Sequence, residues 1–237
     1  MSLKDNIPSP NLAYYRKTLT ERLEPLMPGY SDFFGNINRL RLLNQLISQY
    51  FHTNQGKVLN VGCGAFAAEM LLPALGKHEL TSFDYTEHFA DLYRQFRQDG
   101  YLADTRFFVA DARLAEFPEK AFDLIIMNDL FYETELSLDA LLEKYAVFLK
   151  PNGLLIFDVL DTRTRWLWKL LGKEAAYRRY DRHAILALLS RQGLDCLECL
   201  PALGNKGLLD KLFRRLLWHG FGLANNFTFL VQKKGLT

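Results

Sequence analysis

Along the first fifty positions apolar residues recur at helical spacing, and after Gly56 the pattern changes to short apolar runs separated by amphipathic ones. Asn11 to Leu23 and Asp32 to Phe51 read as two helices. In the second, Phe33, Ile37, Leu40, Leu43, Ile47 and Phe51 fall on one stripe. Pro25, Pro28 and Gly29 punctuate the gap between them. From Lys57 the runs predict strands at Lys57–Val61, Glu79–Phe83, Thr105–Val109, Phe122–Met127 and Leu154–Val159. Helices are expected between them at Phe66–Leu75, Glu87–Asp99 and Leu136–Leu149. Pro151 and Gly153 stop the last of these helices. A helix over Asp181–Gln192, capped by Asp181 and ended by Gly193, precedes strands at Leu194–Cys199 and Asn226–Gln232. Strands separated by helices imply an α/β fold with a mainly parallel sheet and right-handed crossovers. Ligands on such sheets bind beyond the carboxyl ends of the strands.

Composition changes this picture in two places. The 237 residues are 49% hydrophobic, enough for a large core. The net charge of +2 is unevenly spread: from Thr162 onward 14 Lys/Arg stand against 5 Asp/Glu, a local +9 that leaves −7 on the rest. That asymmetry points to an anionic surface or substrate near the C-terminal third, or to ordinary surface variation. No run of about 18 apolar residues is present, and no signal-peptide pattern follows Met1, so a cytoplasmic protein is expected. Three cysteines fit a reducing compartment. Cys196 and Cys199 form a C-x-x-C without a second ligand pair, which reads as two half-buried thiols on a strand, and no metal is expected.

The chemistry collects at three strand ends. Val58-Leu59-Asn60-Val61-Gly62-Cys63-Gly64 is an apolar strand running into a glycine turn that lets a ligand approach the backbone. The helix behind it offers a positive N-terminus. Asp84 closes the next strand, 22 residues after Gly62, where a carboxylate can accept both hydroxyls of a ribose. Asp111 closes the third strand, where it can accept from an adenine amino group. Each signal is weak alone; three in consecutive loops are stronger.

The stretch Lys57–Asp161 resembles class I SAM-dependent methyltransferases. Val58-Leu59-Asn60-Val61-Gly62-Cys63-Gly64 is similar to their first motif, Phe83-Asp84-Tyr85-Thr86 to the ribose-binding motif, and Val109-Ala110-Asp111-Ala112 to the adenine-contacting one. Phe122–Asn128 is similar to their fourth strand and Leu149–Ile156 to the turn before the fifth. The resemblance implies a Rossmann-like seven-stranded, mainly parallel sheet with an antiparallel last strand and helices on both faces. It implies S-adenosyl-L-methionine (SAM) as cofactor, held by Asn60, Gly62, Cys63, Gly64, Asp84, Tyr85, Asp111, Ala112 and Asn128. An N-terminal helical cap (1–55) would precede a SAM-binding domain (56–237) with helical insertions at about 162–180 and 203–222. Two positions depart from the family: Asn60 stands where an acidic residue is usual, and Phe66 where a third glycine is usual.

In the family the loop Asn128-Asp129-Leu130-Phe131-Tyr132-Glu133 flanks the methyl group and the acceptor. It lacks both prolines of the signature for methylating nucleic bases and amides. Asp129 is the candidate base and Tyr132 a candidate orienting hydroxyl; a turn cap and simple packing are the plainer readings. Tyr14, Tyr15 and Tyr30 are candidates to cap the cleft, with core packing as the default. Two basic amphipathic segments, Arg163–Lys173 and Gly207–His219, read as helices docked on their own domain, a lid, or a membrane-surface element engaging anionic headgroups through Arg214 and Arg215. Nucleic acid is not an expected partner. The resulting expectation is methylation of a small, largely apolar molecule. Two alternatives stay open. One is an NAD(P)-binding oxidoreductase, since Gly62–Ala67 also satisfies G-x-G-x-x-A. The other is a catalytically silent SAM-binding protein, favoured by Phe66.

Overall fold

The computed structural model describes residues 11–29, 37–132, 135–170, 177–201 and 216–235. Tyr30, the expected helix start at Asp32, the end of the segment Arg163–Lys173, and most of Gly207–His219 with Arg214 and Arg215 lie outside them. Seven strands form one sheet in the order β3-β2-β1-β4-β5-β7-β6. They are β1 (Lys57–Val61), β2 (Glu79–Asp84), β3 (Thr105–Val109), β4 (Phe122–Met127), β5 (Leu149–Leu160), β6 (Leu194–Pro201) and β7 (Asn226–Lys233). Neighbours from β3 through β5 pair in parallel, whereas β7 lies antiparallel between β5 and β6. The strand β5 begins five residues earlier than its apolar run, because Leu149 already pairs with Phe122. The Pro151-Asn152-Gly153 turn is then absorbed as a register shift before Leu124 meets Leu154. Gly153 is required there, since a Cβ would sit 2.8 Å from the Lys150 carbonyl oxygen.

The central strands are buried on both faces, so alternate residues feed two separate cores. Val58, Leu124, Ile126, Leu154 and Ile156 pack with α1 (Leu12–Thr18), its π-helical continuation Leu19–Leu23, α2 (Ile37–Tyr50), α3 (Ala67–Leu71) and α4 (His88–Gln98). Leu59, Val61, Ile125, Met127, Leu155 and Phe157 pack with α5 (Leu138–Phe148) and α7 (Arg182–Arg191) on the other face. The short α6 (Arg165–Leu170) follows β5. Asp181 accepts from the Ala184 N–H at 2.9 Å and caps α7, as its position suggested. Leu40, Leu43, Leu46, Ile47 and Phe51 of α2 are buried in the same cluster as β1 and β4, so the N-terminal helices share a core with the sheet. Each such side chain contributes about 1.5–3 kcal/mol. Tyr15 is fully buried in that core, and Tyr14 stacks on Tyr101 with centroids 4.6 Å apart, so both tyrosines pack rather than cap a cleft. Among the described residues no helix is long and apolar enough to cross a membrane.

The helix expected over Phe66–Leu75 is shorter. It covers Ala67–Leu71 and gives way to a 3₁₀ turn at Pro73–Leu75, because Pro73 cannot continue the ladder. Phe66 precedes the helix in the left-handed region, φ 62° and ψ 30°, the conformation a glycine would adopt freely. Its ring is fully buried against Tyr93, Phe96 and Phe107. Phe66→Gly relieves about 1–2 kcal/mol of backbone strain but deletes a buried ring whose removal costs about 3–5 kcal/mol. A net destabilisation of about 2 kcal/mol is expected in urea denaturation; a variant as stable as the parent would refute this balance.

Candidate functional site

A cleft of about 590 Å³ opens at the carboxyl ends of β2, β1 and β4, under α2 and the segment Met27–Gly29. Its wall brings together most of the residues expected from sequence: Asn60, Gly62, Cys63, Gly64, Asp84, Tyr85, Asn128, Asp129 and Tyr132. Gly62 adopts φ 66°, and a Cβ there would stand 2.9 Å from the Leu130 side chain, so the turn and the loop after β4 meet over a residue with no room for a side chain. Asp84 is buried. Its Oδ2 accepts the Gly64 N–H at 3.0 Å and its Oδ1 the Thr86 N–H at 3.0 Å. Burial pushes its carboxyl up while those N–H groups pull it down. The Thr86 side chain and the Tyr85 backbone add further hydrogen bonds to it. The Cys63 thiol is pushed well up, by burial first and then by the charges of Glu69 and Asp84.

Asp111 and Ala112 are not part of the cleft wall. The Asp111 carboxylate is held by the Arg113 guanidinium at 2.6–3.0 Å, and this hydrogen bonding holds its pKa below the usual range. Arg113, two residues away, competes for the acceptor capacity that the sequence assigned to a ligand. Ala112 is buried and accepts from the Tyr145 hydroxyl at 2.9 Å. Phe66 also lies off the cleft, its ring in the core behind the glycine turn. Cys196 and Cys199 sit on β6, with both thiols raised by burial, Cys199 to about 12. Among the described residues no group of three His, Cys, Asp or Glu could hold a metal ion.

Arg39 was not singled out by sequence. It reaches from α2 to form ion pairs with Asp129 and with Asp158 of β5, the latter at 2.6 Å. Asp158 Oδ1 accepts the Asp129 N–H at 2.6 Å, and its Oδ2 accepts from Asn226 at 3.1 Å. Asp129 stands at φ 59°, a strained turn that this N–H bond secures. Two carboxylates thus share one largely buried guanidinium. Burial first, and the Asp158 charge second, push Asp129 up to about 7 against the pull of Arg39. The sequence signal for Arg39 was its place beside Leu40 and four residues before Leu43 on the apolar stripe. An aspartate near 3.9 unfolded and about 7 folded binds more protons in the folded state across that interval. Its stabilising contribution is full below pH 4 and is lost as pH rises through about 7. Asp129→Asn removes that component. Urea midpoints at pH 4.5 to 7.5 should therefore fall more steeply in the parent than in the variant, and parallel slopes would contradict it.

Residues 58–153 match the methyltransferase-domain family. No curated protein sequence matches the chain significantly. Among solved structures, protein PH0226 from Pyrococcus horikoshii OT3 is similar with a TM-score of 0.63 at 20% identity, over 94% of this chain and 99% of that one. Magnesium protoporphyrin IX methyltransferase from Synechocystis PCC 6803, solved with SAH bound, gives 0.65 at 13% identity, over 94% and 97%. The cyclase SpnF gives 0.63 at 15%, over 82% and 81%. At these identities the likeness is one of fold. The antiparallel β7 inserted between β5 and β6 also separates this sheet from the all-parallel 3-2-1-4-5-6 order of dinucleotide oxidoreductases. The segment 58–153 thus matches a methyltransferase-domain model, carried on a sheet whose fold is similar to those of the solved methyltransferases.

Proposed function

We propose that the protein binds SAM in the cleft at the carboxyl ends of β2, β1 and β4 and transfers its methyl group to a small, largely apolar acceptor. The observation that carries the reading is Asp84: a buried carboxylate on the cleft wall, bonded to the Gly64 N–H of the glycine turn, where ribose hydroxyls can donate to it. A volume of about 590 Å³ suits a nucleoside-sized ligand with an acceptor beside it. SAM supplies an electrophilic methyl group on a sulfonium. The chain's part is to orient and to handle a proton. Met27, Leu40, Leu43 and Leu130 give the cleft apolar walls, and Tyr132 and Asp129 stand at the end formed by the β4 loop. With its pKa raised to about 7, Asp129 suits a base for an acceptor that must lose a proton during transfer. Phe66 packs away from the cleft, which removes the one feature that favoured a silent protein.

Calorimetry with SAM, S-adenosylhomocysteine and NAD tests the reading. Binding of the first two is expected, and NAD binding alone would replace it with the oxidoreductase. Asp84→Asn should weaken S-adenosylhomocysteine by about 1.5–3 kcal/mol, roughly ten- to a hundredfold. Unchanged affinity would remove Asp84 from the site.

A reversible contact with an anionic membrane surface is a second part of the proposal. Trp166 and Leu170 of α6 and Leu216 and Phe221 of helical residues 216–221 are exposed. Arg163 ties the two elements together by donating to the Gly222 carbonyl at 2.9 Å. Exposed Arg165 and Lys169 flank them, each contributing on the order of 1 kcal/mol near anionic lipid. Sedimentation with phosphatidylserine-containing vesicles should show salt-sensitive binding that is lost in Arg165→Glu/Lys169→Glu. No binding at low ionic strength would leave a lid or plain packing.

A further inference from the structure

The polar cluster behind the glycine turn is not used by the reading above. Alternation on β1 and β2 sends Asn60 and Ser82, register partners, to the face covered by α3. There Glu69 Oε1 accepts from Asn60 Nδ2 at 2.7 Å and from Ser82 Oγ at 2.6 Å. Its Oε2 is buried with no hydrogen-bond partner. Burial raises the Glu69 carboxyl, hydrogen bonds from Ser82, Asn60 and its own backbone lower it, and no cation contributes. The Asn60 amide is committed through its nitrogen, and Asn60 lines the cleft, so its oxygen is the atom left to accept from a ligand. β1 lies between β2, which carries Asp84, and β4, which carries Asn128. A ligand spanning from ribose to acceptor therefore passes its middle portion over Asn60.

We propose that Glu69 is a positioning residue for the cationic methionine half of the cofactor, acting through Asn60. The Glu69 carboxylate stands on α3, one hydrogen bond behind the cleft wall. Glu69 holds the Asn60 oxygen toward the cofactor's ammonium group and supplies an uncompensated negative charge behind it. A buried carboxylate without a cation is costly unless a ligand brings one. The inference rests on SAM occupying this cleft.

The test compares S-adenosylhomocysteine, which keeps the amino-acid half, with 5′-methylthioadenosine, which lacks it, by calorimetry. Glu69→Gln keeps an oxygen acceptor for Asn60 and Ser82 and removes only the charge. It should weaken S-adenosylhomocysteine tenfold or more while leaving methylthioadenosine within about twofold. Adding Asn60→Asp should restore the lost affinity by returning a carboxylate to the cleft wall, and this double variant also serves if Glu69→Gln alone folds poorly. Equal weakening of both ligands, no weakening of either, or failure of the double variant to recover S-adenosylhomocysteine would overturn the role of Glu69. If the parent protein binds neither nucleoside, the cofactor reading itself falls, and this inference with it.

Discussion

Strands β1, β4 and β5 are covered on both faces, and this constraint organises the functional end of the molecule. A polar side chain near the carboxyl end of such a strand has no water to turn to, so a helix, a loop or a ligand must answer it. Asn60 is answered by Glu69 from α3, and Asp158 by Arg39 from α2 together with Asn226 from β7. Asp84, at the end of β2, is answered by the backbone of the glycine turn. Apolar residues further down the same strands need only volume and merge into the two cores. The site is therefore where the sheet's apolar pattern stops and each polar exception is paired individually.

The elements that sequence located well were those where local and global preferences coincide. The bounds of β1, β3 and β4 follow from apolar runs bordered by glycine or polar residues, and Asp181 marks the start of α7 because its cap is a local interaction. The places where the structure departs from the sequence pattern share a different cause. Phe66 seemed to open a helix, since Phe tolerates helical conformation, but the turn demands φ 62° and the core accepts the ring. Asp111 seemed available to a ligand, and a neighbour two residues away had already engaged it. In both cases tertiary competition decided, and a pattern read one position at a time carries no record of it. Glu69 was visible in principle: it is the one acid in Ala67-Ala68-Glu69-Met70-Leu71, a helix otherwise apolar on every side.

Phe66 also bears on what a motif constrains. The third glycine of the family's turn can be needed for its backbone freedom or for the space its missing side chain leaves. Here the left-handed conformation is kept, and the side chain is directed into the core beneath α4 and β3. Backbone geometry is thus preserved at an energetic cost that burial of the ring offsets, and the cleft loses no volume to it. A departure from a motif at this position is therefore evidence about core packing and not about loss of ligand binding.

The division between what is legible and what is not runs through the cleft itself. Its β1–β2 side is built from Asn60, Gly62, Gly64 and Asp84, all inside the segment 58–153 that matches the methyltransferase-domain model. The loop after β4 belongs to that segment too, but its shape does not depend on it alone. Asp129 is held in a left-handed turn by Asp158, and Asp158 is in turn fixed by Arg39 and Asn226, three residues from outside that stretch. The apolar wall above the loop comes from Met27, Leu40 and Leu43, again outside it. The end of the cleft at the β4 loop is thus defined by long-range contacts among the N-terminal helices, β5 and β7, whose sequence signals are single residues without a motif. The shape of that end can change with those contacts alone, because none of them takes part in forming the glycine turn.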